Sequence, residues 1–182
     1  MHTLNSVLSL SQLEAGSIEV NPEAYDLARQ LRELHAMFVE RADAEDIACK
    51  LQGAADHVPV VLDESAVQRI VSNLMSNAIK FTEAGGIVEL TLTPADTEVV
   101  IAVRDTGVGI DAEFMDRLFA PFRQESTGHQ REYEGSGLGL AITHELVGLL
   151  RGSIDVESEK GKGTRFIVRL PRDMHALAAG NE

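Results

Sequence analysis

Residues Ser72–Thr82 read SNLMSNAIKFT, inside a helical pattern that begins near Asp63. Val67, Ile70, Val71, Leu74, Ala78 and Phe81 recur at spacings of three and four, the mark of one buried helix face. At about 100° per residue, Asn73, Asn77 and Lys80 fall together on the adjoining flank, at i, i+4 and i+7. One helix would then hold two amides and an ammonium in a row beside the core. An amide oxygen is a hard ligand suited to Mg²⁺, which takes few protein ligands and several phosphate or water oxygens. An ammonium suits a phosphate. The same row also fits a polar helix edge facing solvent, and the stretch alone does not separate the two.

Outward from this helix, Asp63 or Ser65 can cap its start, and Gly85 and Gly86 close it. Ile87 to Thr93 alternates as a half-buried strand does, and Glu98 to Arg104 is a second β-rich run. Upstream, Leu27, Leu31, Leu34, Met37 and Phe38 recur at helical spacing between Asp26 and Ala44. Residues 46–52 and 58–62 are short β-like runs around the turn GAADH. Downstream, residues 111–119 predict one or two helical turns. Residues 120–136 predict a long polar loop, of a length that in a compact domain is usually functional. Leu138 to Leu150 predicts an apolar helix. Residues 153–158 and 164–170 predict two strands joined by EKGKG, before a loose tail from Asp173. Near the start, Gly16 and Pro22 break the chain. Residues 2–13 read either as the end of a longer helix or as a frayed terminus. Strands separated by helices, then paired hairpins, predict helices on one face of a mixed sheet.

The 182 residues suffice for one domain of ordinary size with extras. A hydrophobic fraction of 44% and a charged fraction of 25% are those of a globular chain that needs no metal or disulfide staple. The single cysteine, Cys49, forms no internal disulfide and no zinc site, and fits a reducing compartment. No apolar run approaches the roughly 18 residues of a membrane span, and no signal peptide opens the sequence. A formal net charge of −13 argues against nucleic acid as a partner. Any nucleotide must be held by a local site, not by the overall field.

Two glycine motifs give such a site its shape. Asp105-Thr106-Gly107-Val108-Gly109 ends a strand. A carboxylate there can accept from the exocyclic amino group of adenine, a bond worth about 1.5–3 kcal/mol, and would repel the carbonyl oxygen of guanine. Gly107 and Gly109 allow close approach or positive φ. Gly135-Ser136-Gly137-Leu138-Gly139 opens a helix, where backbone N–H groups bind phosphate. It is neither a Rossmann fingerprint nor a P-loop, because a loop precedes it and no Lys-Ser/Thr follows.

The asparagine helix, D-x-G-x-G, loop, G-x-G-x-G helix and terminal hairpin come in a fixed order over about 100 residues. In that order the chain resembles the ATP-binding catalytic domain of sensor histidine kinases, in the wider family shared with type II topoisomerases and MutL. Asn73 to Phe81 resembles the N box of that family, Asp105 to Gly109 its G1 box, Phe119 to Phe122 (FAPF) its F box, and Gly135 to Gly139 its G2 box. The resemblance implies a two-layer α/β sandwich, a mixed and mostly antiparallel sheet with three helices on one face. It implies a catalytic domain over residues 26–173, a remnant of a dimerisation helix over 1–13, a linker over 14–25 and a loose tail over 174–182. It implies ATP and Mg²⁺ as cofactors, with Asn77 on the metal and Asn73 and Lys80 at the phosphates. Asp105 would read adenine, with Thr164 helping through water. Gly107, Gly109, Gly135, Gly137, Leu138 and Gly139 would shape the site. Residues 120–134 would form a lid from which Arg123, Gln124 and Arg131 can reach the γ-phosphate.

ATP-hydrolysing relatives carry a glutamate at position 73 as the base for water. Asn73 cannot take a proton at neutral pH, so transfer to a side chain is expected in place of rapid hydrolysis. The expected acceptor is a histidine on helices upstream. Residues 4–18 resemble the exit from such a hairpin, and the first helix of the pair is absent. His2, His35, His57, His129 and His175 lack an acidic residue after them, and His144-Glu145 reads as helix surface. The expectation is therefore a monomeric, cytoplasmic piece of a longer kinase, making no membrane contact of its own. Its partners would be its own dimerisation helices and a response-regulator receiver domain. Two rivals stay open: a stand-alone serine kinase of the anti-sigma-factor type, and a non-catalytic nucleotide-binding module.

Overall fold

The computed structural model describes residues 19–53, 56–123 and 137–176. The expected helix over 2–13, Gln124, Arg131, Gly135 and nearly all of the lid lie outside the described residues.

Elements follow in the order β1 (Glu23–Asp26), α1 (Leu27–Ala44), β2 (Ala48–Gln52), β3 (Pro59–Leu62), α2 (Glu64–Phe81), β4 (Ile87–Pro94), β5 (Glu98–Asp105), α3 (Ala112–Met115), α4 (Gly139–Leu149), β6 (Ser153–Glu159) and β7 (Gly163–Pro171). The main sheet runs β2-β4-β5-β7-β6, and β1 and β3 form a separate antiparallel pair. β2 lies parallel to β4, and every other neighbour in the main sheet is antiparallel. Val88, Leu90 and Leu92 of β4, Val99, Ile101 and Val103 of β5, and Phe166, Val168 and Leu170 of β7 are buried at every second position. They make the sheet side of the core. The helices supply the other side, so the expected two-layer sandwich is present.

α2 is the helix on which the core closes. Ala66, Val67, Ile70, Val71, Leu74, Met75, Ala78 and Ile79 are buried, a wider stripe than the expected one because it gains Met75 and Ile79. Phe81 does not join it. As the last residue of α2 it has turned away from the sheet and is 37% exposed. Met37 departs likewise. The α1 stripe passes from Leu34 through Phe38 to Ala42 in steps of four, and Met37, one position off it, is 68% exposed.

Asp63, not Ser65, caps α2: its Oδ1 accepts from the Ala66 N–H at 2.9 Å and from the Ser65 hydroxyl at 2.7 Å. Its Oδ2 accepts from the Asn21 N–H at 2.8 Å. Burial works against the charge, but these donors outweigh it and hold the Asp63 carboxyl below its ordinary value. Asp26 does the same at α1, where its Oδ1 accepts from Ala28 N at 3.1 Å and Val58 N at 2.9 Å.

Both edges of the expected domain need correction. Residues 23–25, read as linker, pair with β3 in the register Glu23↔Leu62 to Tyr25↔Val60. Asp173 and Met174, read as the start of a loose tail, are stitched to β3. Met174 N donates to Val61 O at 3.1 Å, and its side chain is buried. The apolar surface of Met174 and the free edge of β3 hold this segment down where composition suggested looseness.

Candidate nucleotide-binding site

α2 touches both glycine motifs. At its C-terminal end, Val108 N donates to the Phe81 carbonyl at 3.1 Å. A Cβ on Gly107 would collide with that carbonyl, so only glycine lets the strand-end turn approach the helix end so closely. Eight residues earlier, Asn73 Nδ2 donates to the Thr143 hydroxyl of α4 at 2.8 Å. Asn73 Oδ1 occupies the place a Cβ on Gly139 would take. Eight residues of helix span about 12 Å. A ligand of that length laid along this flank would meet different chemistry at each end.

At the first end Asp105 is buried. Gly107 N and Thr164 N donate to its Oδ1 at 2.8 and 3.2 Å. No hydrogen bond from the described residues reaches its Oδ2, which leaves one carboxylate oxygen to accept from a ligand. Burial pushes the Asp105 pKa up, against the pull of the two N–H donors. Thr164 stands beside Asp105, as its expected part requires. Its main chain holds Asp105 directly, while its hydroxyl pairs with the Ser158 hydroxyl at 2.9 Å. Ser158 also accepts from Ile110 N at 2.8 Å, so this one side chain ties the residues after G1 to the last hairpin. Gly109 has φ +64° and lies against the Glu159 carbonyl.

Between the two ends Asn73, Asn77 and Lys80 are half-buried along one flank of α2, Asn73 beside the Gly139 turn and Lys80 beside Phe81. The Asn77 side chain has no hydrogen-bond partner among the described residues, so its amide oxygen is available to a metal. Lys80 Nζ lies 4.9 Å from the centre of the Phe81 ring. Burial lowers the Lys80 pKa. Gly137 has φ +67°, and its carbonyl accepts from Phe122 N at 3.1 Å, which ties the start of the expected lid to the second glycine turn. Arg123 stands beside this junction and is exposed. The Leu138 side chain is wholly buried, so only its main chain can face a ligand; the residue is an anchor for the turn.

Three residues, Thr143, Ser158 and Gly163, had no part in the sequence reading, and a fourth, His144, had no part in the site. Thr143 is a polar residue inside an apolar helix, with no local signal of its partner. Ser158 lies in a strand of alternating polarity. Gly163, inside the EKGKG turn, has φ +97° and no room for a Cβ against the Asp105 carbonyl. His144 stacks on Phe119 of the FAPF segment, ring centres 5.0 Å apart. Its place on the helix surface stands, but the helix face it occupies is the one that receives the F box. The only available signal was the G-x-G spacing of Gly161 and Gly163.

A cavity of about 730 Å³ lies elsewhere, beside β1 and β3, lined by Tyr25, Asp26, His57, Val60, Arg172 and Asp173. It contains none of the motif residues. Converging chemistry, not the size of a hollow, locates the site. Among the described residues no cluster of three or more His, Cys, Asp or Glu could hold a metal. A metal here would depend on an amide oxygen and on the ligand's own oxygens.

With this geometry in place, comparison with known proteins is decisive. The family model of histidine kinase-, DNA gyrase B- and HSP90-like ATPases matches residues 62–174. The sensor histidine kinase RcsC of Escherichia coli is 38% identical over 170 residues, which are 92% of this chain and 18% of that protein. The autoinducer 2 sensor kinase/phosphatase LuxQ of Vibrio parahaemolyticus is 34% identical over 174 residues, 92% of this chain and 20% of that protein. The crystal structure of full-length ShkA in complex with AMPPNP superposes with a TM-score of 0.82 at 32% identity, over 93% of this chain and 35% of that one. The chain belongs to the histidine kinase-, DNA gyrase B- and HSP90-like ATPase family, and within it to the catalytic domains of sensor histidine kinases. It spans about a fifth of the length of these curated relatives.

Proposed function

We propose that the domain binds ATP with Mg²⁺ and delivers the γ-phosphoryl group to a histidine on dimerisation helices of a longer sensor kinase, for relay to a response-regulator receiver domain. The observation that carries this reading is the pairing of opposite chemistries along α2. Asp105, with Oδ2 uncommitted, lies at the Phe81 end, and the Asn73–Asn77–Lys80 row runs from there along one flank to the Gly139 turn.

Asp105 Oδ2 accepts from the adenine amino group, and the Gly107 turn admits the base. Asn77 offers its amide oxygen to the metal. Asn73 and Lys80 attend the phosphates, and Gly135, Gly137 and Gly139 open α4 toward them. Arg123, Gln124 and Arg131 supply further positive charge and hydrogen-bond donors from the lid. Bound Mg–ATP supplies the transferable phosphoryl group and part of the charge neutralisation. The chain's residues contribute position and electrostatics. Asn73 cannot serve as a base, so water is not activated and transfer to a side chain is favoured.

Two relatives support parts of the reading: ShkA is described in complex with AMPPNP, and ThkA in complex with a response regulator protein. The test is radiolabelled ATP with Mg²⁺ and a separately supplied histidine-bearing helical hairpin. Label on the hairpin histidine is expected. Label on serine of another protein alone, or no label on any acceptor, overturns the proposal.

A further inference from the structure

Thr143 is buried to 1% exposure on the inward face of α4, among Ala141, Leu146 and Val147. A buried hydroxyl among apolar side chains costs stability unless it is hydrogen-bonded. Its partner is Asn73, seventy positions away in the sequence, whose Nδ2 donates to Oγ1 at 2.8 Å. The other end of the same amide is held by shape. Asn73 Oδ1 lies where a side chain on Gly139 would begin, and Gly139 and Thr143 are one helical turn apart on α4. The amide is gripped at its nitrogen by a hydroxyl and admitted at its oxygen by a missing Cβ.

That grip matters because the last torsion of an asparagine is broad and nearly two-fold. Without it, the side chain is free to turn. A donor suits a phosphate oxygen, and an acceptor suits a metal or a metal-bound water. A hydroxyl can pair with either end of an amide, so the contact fixes where the Asn73 side chain stands, and with it what Asn73 can reach.

We infer that Thr143 is a positioning residue, which holds the Asn73 side chain in place at the phosphate end of the site. This rests on the reading of this flank of α2 as a Mg–ATP site, and the test separates the two. The side-chain amide signal of Asn73 is recorded by ¹⁵N NMR on the nucleotide-free full chain, and Mg–ATP affinity by calorimetry, for wild type, Thr143→Val and Thr143→Ser. Valine keeps the shape and removes the hydroxyl, while serine keeps the hydroxyl.

Thr143→Val is expected to shift or broaden the Asn73 amide signal and to weaken Mg–ATP binding by about tenfold, the size of one lost hydrogen bond. Its thermal midpoint should not fall. Thr143→Ser should restore both signal and affinity. An unchanged amide signal in Thr143→Val overturns the inference. So does unchanged affinity in that variant, or a serine variant that fails as valine does. A wild-type chain that binds no Mg–ATP overturns the nucleotide reading instead, while the amide signal, taken without nucleotide, still judges the Thr143 contact.

Discussion

Asp105 carries a tension that belongs to one residue. Two main-chain donors favour its charge and burial opposes it, with burial the larger effect. An acid whose pKa is raised on folding binds its proton more tightly in the folded state. The cost to stability is therefore absent below the unfolded value of about 3.9, grows as pH rises past it, and is complete above the folded pKa. Asparagine keeps an oxygen for Gly107 N and Thr164 N but puts an NH₂ where Oδ2 was. Asp105→Asn is thus expected to keep or raise the thermal midpoint at pH 7 while abolishing Mg–ATP binding by calorimetry. A variant that still binds with wild-type affinity would contradict the adenine assignment. Asn77→Ala tests the other end. With the amide oxygen gone, triphosphate affinity should lose its dependence on Mg²⁺ concentration, and an unchanged metal titration would contradict the metal assignment.

At the scale of elements, α2 owes its start to Asp63 and its position to eight buried side chains. Replacing Asp63 by alanine removes the acceptor for Ala66 N and frees Asn21 N as well. The expected loss is about 1–2 kcal/mol, read from the urea midpoint with the slope unchanged. Gly139→Ala acts where two elements meet, since the new methyl displaces Asn73 Oδ1 and nothing in α4 requires glycine for helix geometry. Alanine is a better helix former by about 1 kcal/mol. The variant should stay folded by circular dichroism yet bind Mg–ATP weakly, and wild-type affinity would show that the close approach is not needed. The element pattern was legible in the sequence because periods of two and 3.6 report directly which face is buried. The departures, Phe81 and Met37, fall where a stripe ends or changes step, and periodicity has least to say there.

Across the whole molecule, acid should loosen the joints between elements before it dissolves the sheet. Asp26 caps α1, bonds Val58 N and faces His57 Nδ1 at 3.0 Å. Although burial opposes it, these partners hold its pKa down at about 2. The Asp63 carboxyl, which joins Asn21 to α2, is also held low. For depressed acids the stabilisation is complete above the unfolded value of about 3.9 and is lost as pH falls toward the folded value. Hydrogen exchange at pH 3 should therefore show lost protection in β1, β3 and the first turns of α1 and α2 before β5 and β7. Uniform loss across the sheet would contradict this.

The sequence by itself determined the order of helices and strands, the class of the fold and the identity of the two glycine turns, because hydrophobic period and glycine spacing are local properties of a chain. It also put Asn73, Asn77 and Lys80 on one flank, since 3.6 residues per turn leaves no choice. Only the tertiary structure decided that Thr143 holds Asn73, that Ser158 takes the Thr164 hydroxyl, and that Gly163 lies against the Asp105 carbonyl. Those contacts join residues between 6 and 70 positions apart. They follow from which strands pair and which helices cross, and no window of sequence contains both partners with a signal linking them. The ends of the domain were decided the same way: residues 23–25 and Met174 are held by pairing with β3, whose edge neither segment announces.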